Sequence, residues 1–145
     1  MSFIISAPRS NSKLYTIEDG DGRPVNAGYF CHISDYDKVA CWFNLMFRAI
    51  DKLNDPNLSQ QWQDTVITPL YPTLPNGPKK AKAIEHAENG EFYDFISQAA
   101  DCYGISDFEA WQTFTTLACK LYRAFLLTHF ENTGPVPAWH DDPMS

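Results

Sequence analysis

The chain has 145 residues, a net charge of -7, 44% hydrophobic and 14% aromatic residues. This length and composition predict one globular domain over 1–145 with a sizeable core, and they exclude a disordered chain, which needs fewer aromatics and more charge. The acidity disfavours a nucleic-acid binder held by phosphate attraction, and with no apolar run of about 18 residues no membrane-spanning helix is expected.

The opening segment MSFIISAPRSN has only a very short apolar run and no basic start, which argues against a secretory signal and for a cytoplasmic protein. Residues 2–6 and 13–18 suit short strands. Between the second and a candidate third strand at 24–33 lies Asp19-Gly20-Asp21-Gly22, where glycine supplies the positive φ of a tight hairpin turn. Gly28 would mark a bulge in that third strand. The same D-G-D-G stretch invites a calcium-loop reading. Loop position twelve falls on Phe30 counted from Asp19, or on His32 counted from Asp21, so the closing glutamate is missing.

Ser34 opens a helix that runs to the Asn54-Asp55-Pro56 stop. Val39, Phe43, Met46, Ile50 and Leu53 step by four and three along one packing seam, and Asp35 and Asp37 complement the macrodipole in the first turn. A shorter helix is predicted over 57–67, with Leu58, Trp62 and Val66 at steps of four. Pro69, Pro72, Pro75 and Pro78 then predict an extended connector, lying on the body through Leu70, Tyr71 and Leu74. The same spacing nominally reads as a polyproline-II ligand for an SH3-like domain.

Lys79 to Glu88 forms a strong helix with lysines first and acids last, a polarity that opposes its own macrodipole at about 0.3–1 kcal/mol per charge. Asn89-Gly90 ends it, and Glu91 to Tyr103 resumes a helix that buries Phe92, Phe95, Ile96 and Ala99. Gly104 makes a tight corner into the longest helical stretch, 106–130. Its start is marked by Ser106 and Glu109 as a capping box, and Trp111, Phe114, Leu117, Ala118, Leu121 and Phe125 share its predicted core face. The two main helices begin alike, Ile33-Ser34-Asp35-Tyr36-Asp37 and Ile105-Ser106-Asp107-Phe108-Glu109, a shared solution to helix initiation rather than a repeat. Residues 131–145 read as an irregular proline-rich tail. Trp139 within it either folds back onto the domain or anchors a partner.

Motifs that carry chemistry are sparse. Cys31, Cys41, Cys102 and Cys119 form no C-x-x-C and read as buried reduced thiols, with two disulfides open if the protein is exported. There is no G-x-S-x-G, P-loop, Rossmann glycine pattern or H-E-x-x-H. His32, His86, His129 and His140 are scattered; His129 reads as a half-buried or C-terminal capping residue in a place that favours protonation. His140-Asp141-Asp142 reads as solvated tail rather than metal site, and no metal or cofactor is expected. The acids concentrate over 79–110, seven carboxylates against three lysines.

These observations predict an α+β fold: a small N-terminal antiparallel sheet of two or three strands, then a mainly helical body of four or five helices centred on 34–53 and 106–130. The functional expectation is a non-enzymatic protein-binding module, a small acidic inhibitor or immunity-type protein of the anti-defence or antitoxin class. Its partner would be a basic protein such as a nuclease, steered by the acidic face, with no nucleic acid or membrane contacted directly. The candidate contact residues are Glu85, Glu88, Glu91, Asp94, Asp101 and Trp139. Two other expectations stand beside it: a small enzyme assembled from Cys31, His32 and a carboxylate, and a homo-oligomer subunit using the apolar surface of 106–130.

Overall fold

The computed structural model describes residues 2–9, 11–30, 35–72, 74–132 and 134. Strands β1 (Phe3–Ser6) and β2 (Thr16–Asp19) pair antiparallel, with Phe3 opposite Asp19 and Ile5 opposite Ile17. Five helices follow: α1 (Tyr36–Leu53), α2 (Pro56–Trp62), α3 (Pro78–Glu88), α4 (Phe92–Tyr103) and α5 (Asp107–His129). This is the α+β arrangement expected from the sequence, with two strands. No helix among the described residues is long and apolar enough to cross a membrane.

The third strand does not form among its described residues, 24–30. Val25 N–H still donates to Ile17 C=O at 2.9 Å, but the chain then enters a 3-10 turn, Ala27–Phe30. The cause is local. Asn26 Oδ1 accepts the Gly28 N–H at 2.9 Å, an Asx turn that bends the backbone out of the ladder, so Gly28 serves a turn and not a bulge. The D-G-D-G turn forms as expected. Asp19 Oδ1 accepts the N–H groups of Asp21 (2.9 Å) and Arg23 (3.0 Å), and Oδ2 accepts the Tyr29 hydroxyl at 3.2 Å. These bonds, that to Arg23 first, hold the Asp19 carboxyl below its ordinary range.

Helix α1 buries the expected seam, with Val39, Phe43, Met46 and Ile50 enclosed and Leu53 partly so. Its cap is one residue later than expected: Asp35 Oδ1 accepts the Lys38 N–H at 3.0 Å, and Ser34 lies outside the described residues. Asn54 closes α1 in the left-handed conformation, φ 54°. Asp55 then caps α2 through the Asn57 and Leu58 N–H groups, at 3.0 and 3.3 Å, while its other oxygen takes the Tyr15 hydroxyl. This one carboxylate ties the start of α2 to the segment before β2, 40 residues earlier in the chain.

The helix expected over 57–67 is regular only to Trp62. Residues Gln63–Ile67 widen into a π turn, and Thr68–Leu70 tighten into a 3-10 turn. Pro69 is the physical reason, because it has no N–H to donate and its ring crowds the preceding turn of a regular helix. The extended connector is correspondingly shorter than expected. Pro69 is in a helical turn and Tyr71 has φ -86°, ψ -34°, so residues 69–71 do not adopt the polyproline-II conformation. Leu70 and Leu74 are buried in the body, as the pattern suggested.

Helices α3 and α4 form an antiparallel hairpin about Gly90. Glu91 N–H reaches back to His86 C=O at 2.8 Å, which places Gly90 at φ +76°. A Cβ at Gly90 would stand 2.4 Å from the Phe47 ring, so close packing also requires glycine there. The hairpin explains the inverted charge order of α3. Its lysine end lies beside the C-terminus of α4, whose dipole is negative, and its acidic end lies beside the N-terminus of α4. The neighbouring helix offsets what α3 alone opposes.

Helix α5 packs on α1, α4, the Ala27–Phe30 turn and both turns after α2. Ser106 Oγ accepts the Glu109 N–H at 3.2 Å, the Ser half of the expected capping box. The centre of its buried face is Phe114, Ala118, Tyr122 and Phe125, flanked by Thr115, Cys119 and Leu126; Trp111, Leu117 and Leu121 are only partly covered. The chain leaving α5 has no regular secondary structure at its described residues 131, 132 and 134, but it is tied to the body. Glu131 N–H donates to Tyr15 C=O at 2.9 Å, Asn132 Oδ1 accepts the Ala27 N–H at 3.0 Å, and Asn26 Nδ2 donates to Gly134 C=O at 2.9 Å. Residues 135–145, including Trp139 and His140, lie outside the described residues, as do Cys31 and His32.

Candidate functional site

Five of the six sequence-predicted contact residues sit on the α3–α4 hairpin, and all five are exposed. The sixth, Trp139, is outside the described residues. The structure does not gather the five into one patch. Asp101 stands at the lysine end, lining a small cavity of about 220 Å³ with Lys79, Lys80 and Cys102. Seven residues of helix put it about 10 Å along the axis from Asp94. Glu91 and Asp94 lie at the opposite end, at the start of α4. Glu88 closes α3, where its Oε1 stands 3.5 Å from the Tyr71 hydroxyl. Burial first, and then the Glu88 charge, raises the Tyr71 phenol to about 12.

The hairpin corner adds a residue that spacing did not pair with these acids. His86 Nδ1 lies 3.2 Å from Glu91 Oε1, and the ligand atoms of His86, Glu91 and Asp94 all fall within 4.8 Å of one another. Residues 86 and 91 do not share a helix; the backbone reversal at Gly90 brings them together. One imidazole nitrogen and two carboxylates are a donor set able to hold a divalent ion, and they equally form an acidic corner open to solvent.

A second surface adjoins that corner and was not anticipated. The two similar helix starts meet. Tyr36 at the head of α1 stacks on Trp111 of α5 with centroids 6.4 Å apart and planes 22° apart, and it meets Phe108 edge-on at 6.1 Å. Asp35, Tyr36, Asp37 and Trp111 line an open cleft of about 510 Å³. Tyr93 of α4 touches two of its lining residues. Its ring packs edge-on against Trp111 at 5.3 Å, and its hydroxyl donates to Asp37 Oδ1 at 3.4 Å. Burial and then the Asp37 charge push the Tyr93 phenol upward. Phe108 is 64% exposed and Tyr93 43%, unusual for rings that belong to no core. Tyr93 and Asp94 both belong to the first turn of α4, so the turn that touches the cleft also carries one acid of the corner.

The remaining titratable candidates fall elsewhere. His129 is half-buried, as expected, but burial pushes its imidazole below the usual value, so the protonated form expected at a helix end is disfavoured. Among the described cysteines all are free thiols, and they are not uniformly buried: Cys41 is exposed, Cys102 intermediate and Cys119 buried. Burial raises the Cys102 thiol, which lowers its thiolate fraction. The sequence signal that pointed to the cleft was the repeated start Ile-Ser-Asp-aromatic-acid. It was legible as two helix starts, and only the fold brings them side by side. Comparison of the chain with protein-family models, with curated proteins and with solved structures found no match.

Proposed function

We propose that this chain is a non-enzymatic protein-binding module whose partner is basic, in keeping with a small cytoplasmic inhibitor of the immunity or anti-defence type. The observation that carries the reading is the cleft of Asp35, Tyr36, Asp37 and Trp111, touched by Tyr93 of the same α4 turn that carries Asp94 of the acidic corner. It combines partly exposed Trp and Tyr, the residue types that dominate binding energy at interfaces, with carboxylates that steer a basic partner. The net charge of -7 extends that steering over the whole molecule.

The test is affinity capture from the native host at low and then moderate salt, with wild type beside a variant carrying Glu88→Lys, Glu91→Lys and Asp94→Lys. A basic protein held by wild type, released as salt rises and not held by the variant is the expected result. Equal capture by both proteins, or retention of no basic protein, overturns the reading. Thermal melting of the variant confirms that the three changes alter the surface and not the fold.

A further inference from the structure

We infer that the cleft lined by Tyr36, Trp111, Asp35 and Asp37 is a receptor for a guanidinium side chain, so that the basic partner presents an arginine there. The inference rests on the protein-binding reading and narrows it to one side-chain chemistry at one place. The stacked pair of Tyr36 and Trp111, 22° between planes, forms one aromatic side of the cleft, and the carboxylates of Asp35 and Asp37 line it beside them. A planar, delocalised cation stacks on such a ring face and donates to a carboxylate in the same pose. An ammonium is a hydrated point charge and uses the ring walls less well.

The sign of the field agrees. Two helix N-termini meet here, and each contributes about +0.5 charge. Against them stand Asp35 and Asp37 on α1 and Asp107 and Glu109 on α5, four carboxylates with Lys38 as the counter-charge on the first turn of α1. The balance remains negative by about two charges, so the cleft selects a cation although helix N-termini alone would favour an anion. One acidic group is already committed: Asp35 Oδ1 caps α1 through Lys38 N–H at 3.0 Å. Asp37 is the freer acceptor, touched by the Tyr93 hydroxyl at 3.4 Å.

Hexa-arginine and hexa-lysine peptides, equal in charge, are titrated against the full chain at low salt while the indole signal of Trp111 is followed by NMR. The arginine peptide is expected to bind roughly five- to tenfold tighter and to shift the Trp111 signal. Tyr36→Leu is expected to abolish that preference. So is the double variant Asp35→Asn and Asp37→Asn, in which asparagine keeps the helix cap and therefore the fold. Equal binding of both peptides, weakened by reversal of Glu91 and Asp94, overturns the guanidinium cleft and leaves the protein-binding reading standing. An arginine preference that survives both cleft variants also overturns it. Failure of either peptide to bind overturns the cleft and the acidic-face reading together.

Discussion

Two aromatic clusters share α5 and have opposite fates. Around Tyr122, the rings of Phe30 (5.2 Å), Trp62 (5.9 Å) and Phe43 (6.3 Å) are sealed on every side. Around Trp111, three turns earlier, Tyr36, Tyr93 and Phe108 make contacts of similar length but stay open to solvent. Ring contacts alone therefore do not make a core. The closed cluster is covered by α1, α2 and the turn before α1, whereas the open one sits where two helix N-termini meet and the acids of their first turns keep the surface polar. The polar atoms differ in the same way. Among the described residues, Trp62 Nε1 and Tyr122 Oη are buried without a hydrogen-bond partner, while the cleft's carboxylates are engaged by a backbone N–H and a tyrosine hydroxyl.

The sharpest way to break this contrast is truncation in each cluster. Phe43→Ala leaves a cavity among rings and is expected to lower stability by about 3–5 kcal/mol, against less than about 0.5 kcal/mol for the exposed Phe108→Ala. Urea denaturation of the two variants checks it, and similar losses would mean that the open cluster is core after all. The same closed-against-open distinction holds for two helix-ending glycines. Gly90 and Gly104 both have positive φ, +76° and +67°, but only at Gly90 would a Cβ strike a neighbour, the Phe47 ring. Gly104→Ala is expected to cost about 1 kcal/mol for the left-handed conformation, and Gly90→Ala about 2–4 kcal/mol with overpacking added.

A smaller effect separates structural carboxylates from those of the cleft. The Tyr15 hydroxyl first, and then the Leu58 and Asn57 N–H groups, hold the Asp55 carboxyl below its ordinary value. Asp19 is lowered in the same direction. A depressed folded-state pKa means that the folded chain binds fewer protons. The stability is therefore fully present above the unfolded value of 3.8 and is lost as the pH falls through the folded values. Asp55→Asn should cost about 1 kcal/mol near neutral pH and make the acid limb shallower in melts recorded across pH 2–6. A limb unchanged in slope would remove Asp55 from this role. The smallest expected effect is that of Tyr122→Phe. It deletes a buried hydroxyl with no protein partner among the described residues, so the midpoint should move by less than about 1 kcal/mol in either direction.

Much of the helical body was legible because its signals are local. The seam of α1, the stop at Gly90, the corner at Gly104 and the Ser106 cap are set by residues within a turn of one another. Errors came where a distant or competing bond decided. Asn26 diverted the third strand by an Asx turn, and Pro69 converted a regular helix into π and 3-10 turns. The face of α5 was read partly right: Phe114, Ala118 and Phe125 are buried, but apolar spacing along 106–130 admits several adjacent stripes, and Tyr122 points inward where Leu121 is only partly covered. The candidate site fared similarly: Glu91 and Asp94 were named, Asp101 was grouped with them although it lies at the other end of the hairpin, and His86 was missed because its partner lies across a chain reversal.

By itself the amino-acid sequence determined where α1, α3, α4 and α5 lie, the Ser106 cap and the excess of acid over 79–110, because capping, periodicity and charge are properties of neighbouring residues. Only the tertiary structure decided that the inverted charges of α3 lie against α4, that His86 meets Glu91, and that Tyr36 stacks on Trp111. Each of these depends on how helices far apart in the chain pack. Packing is settled by the summed fit of the whole buried surface, which no short stretch encodes.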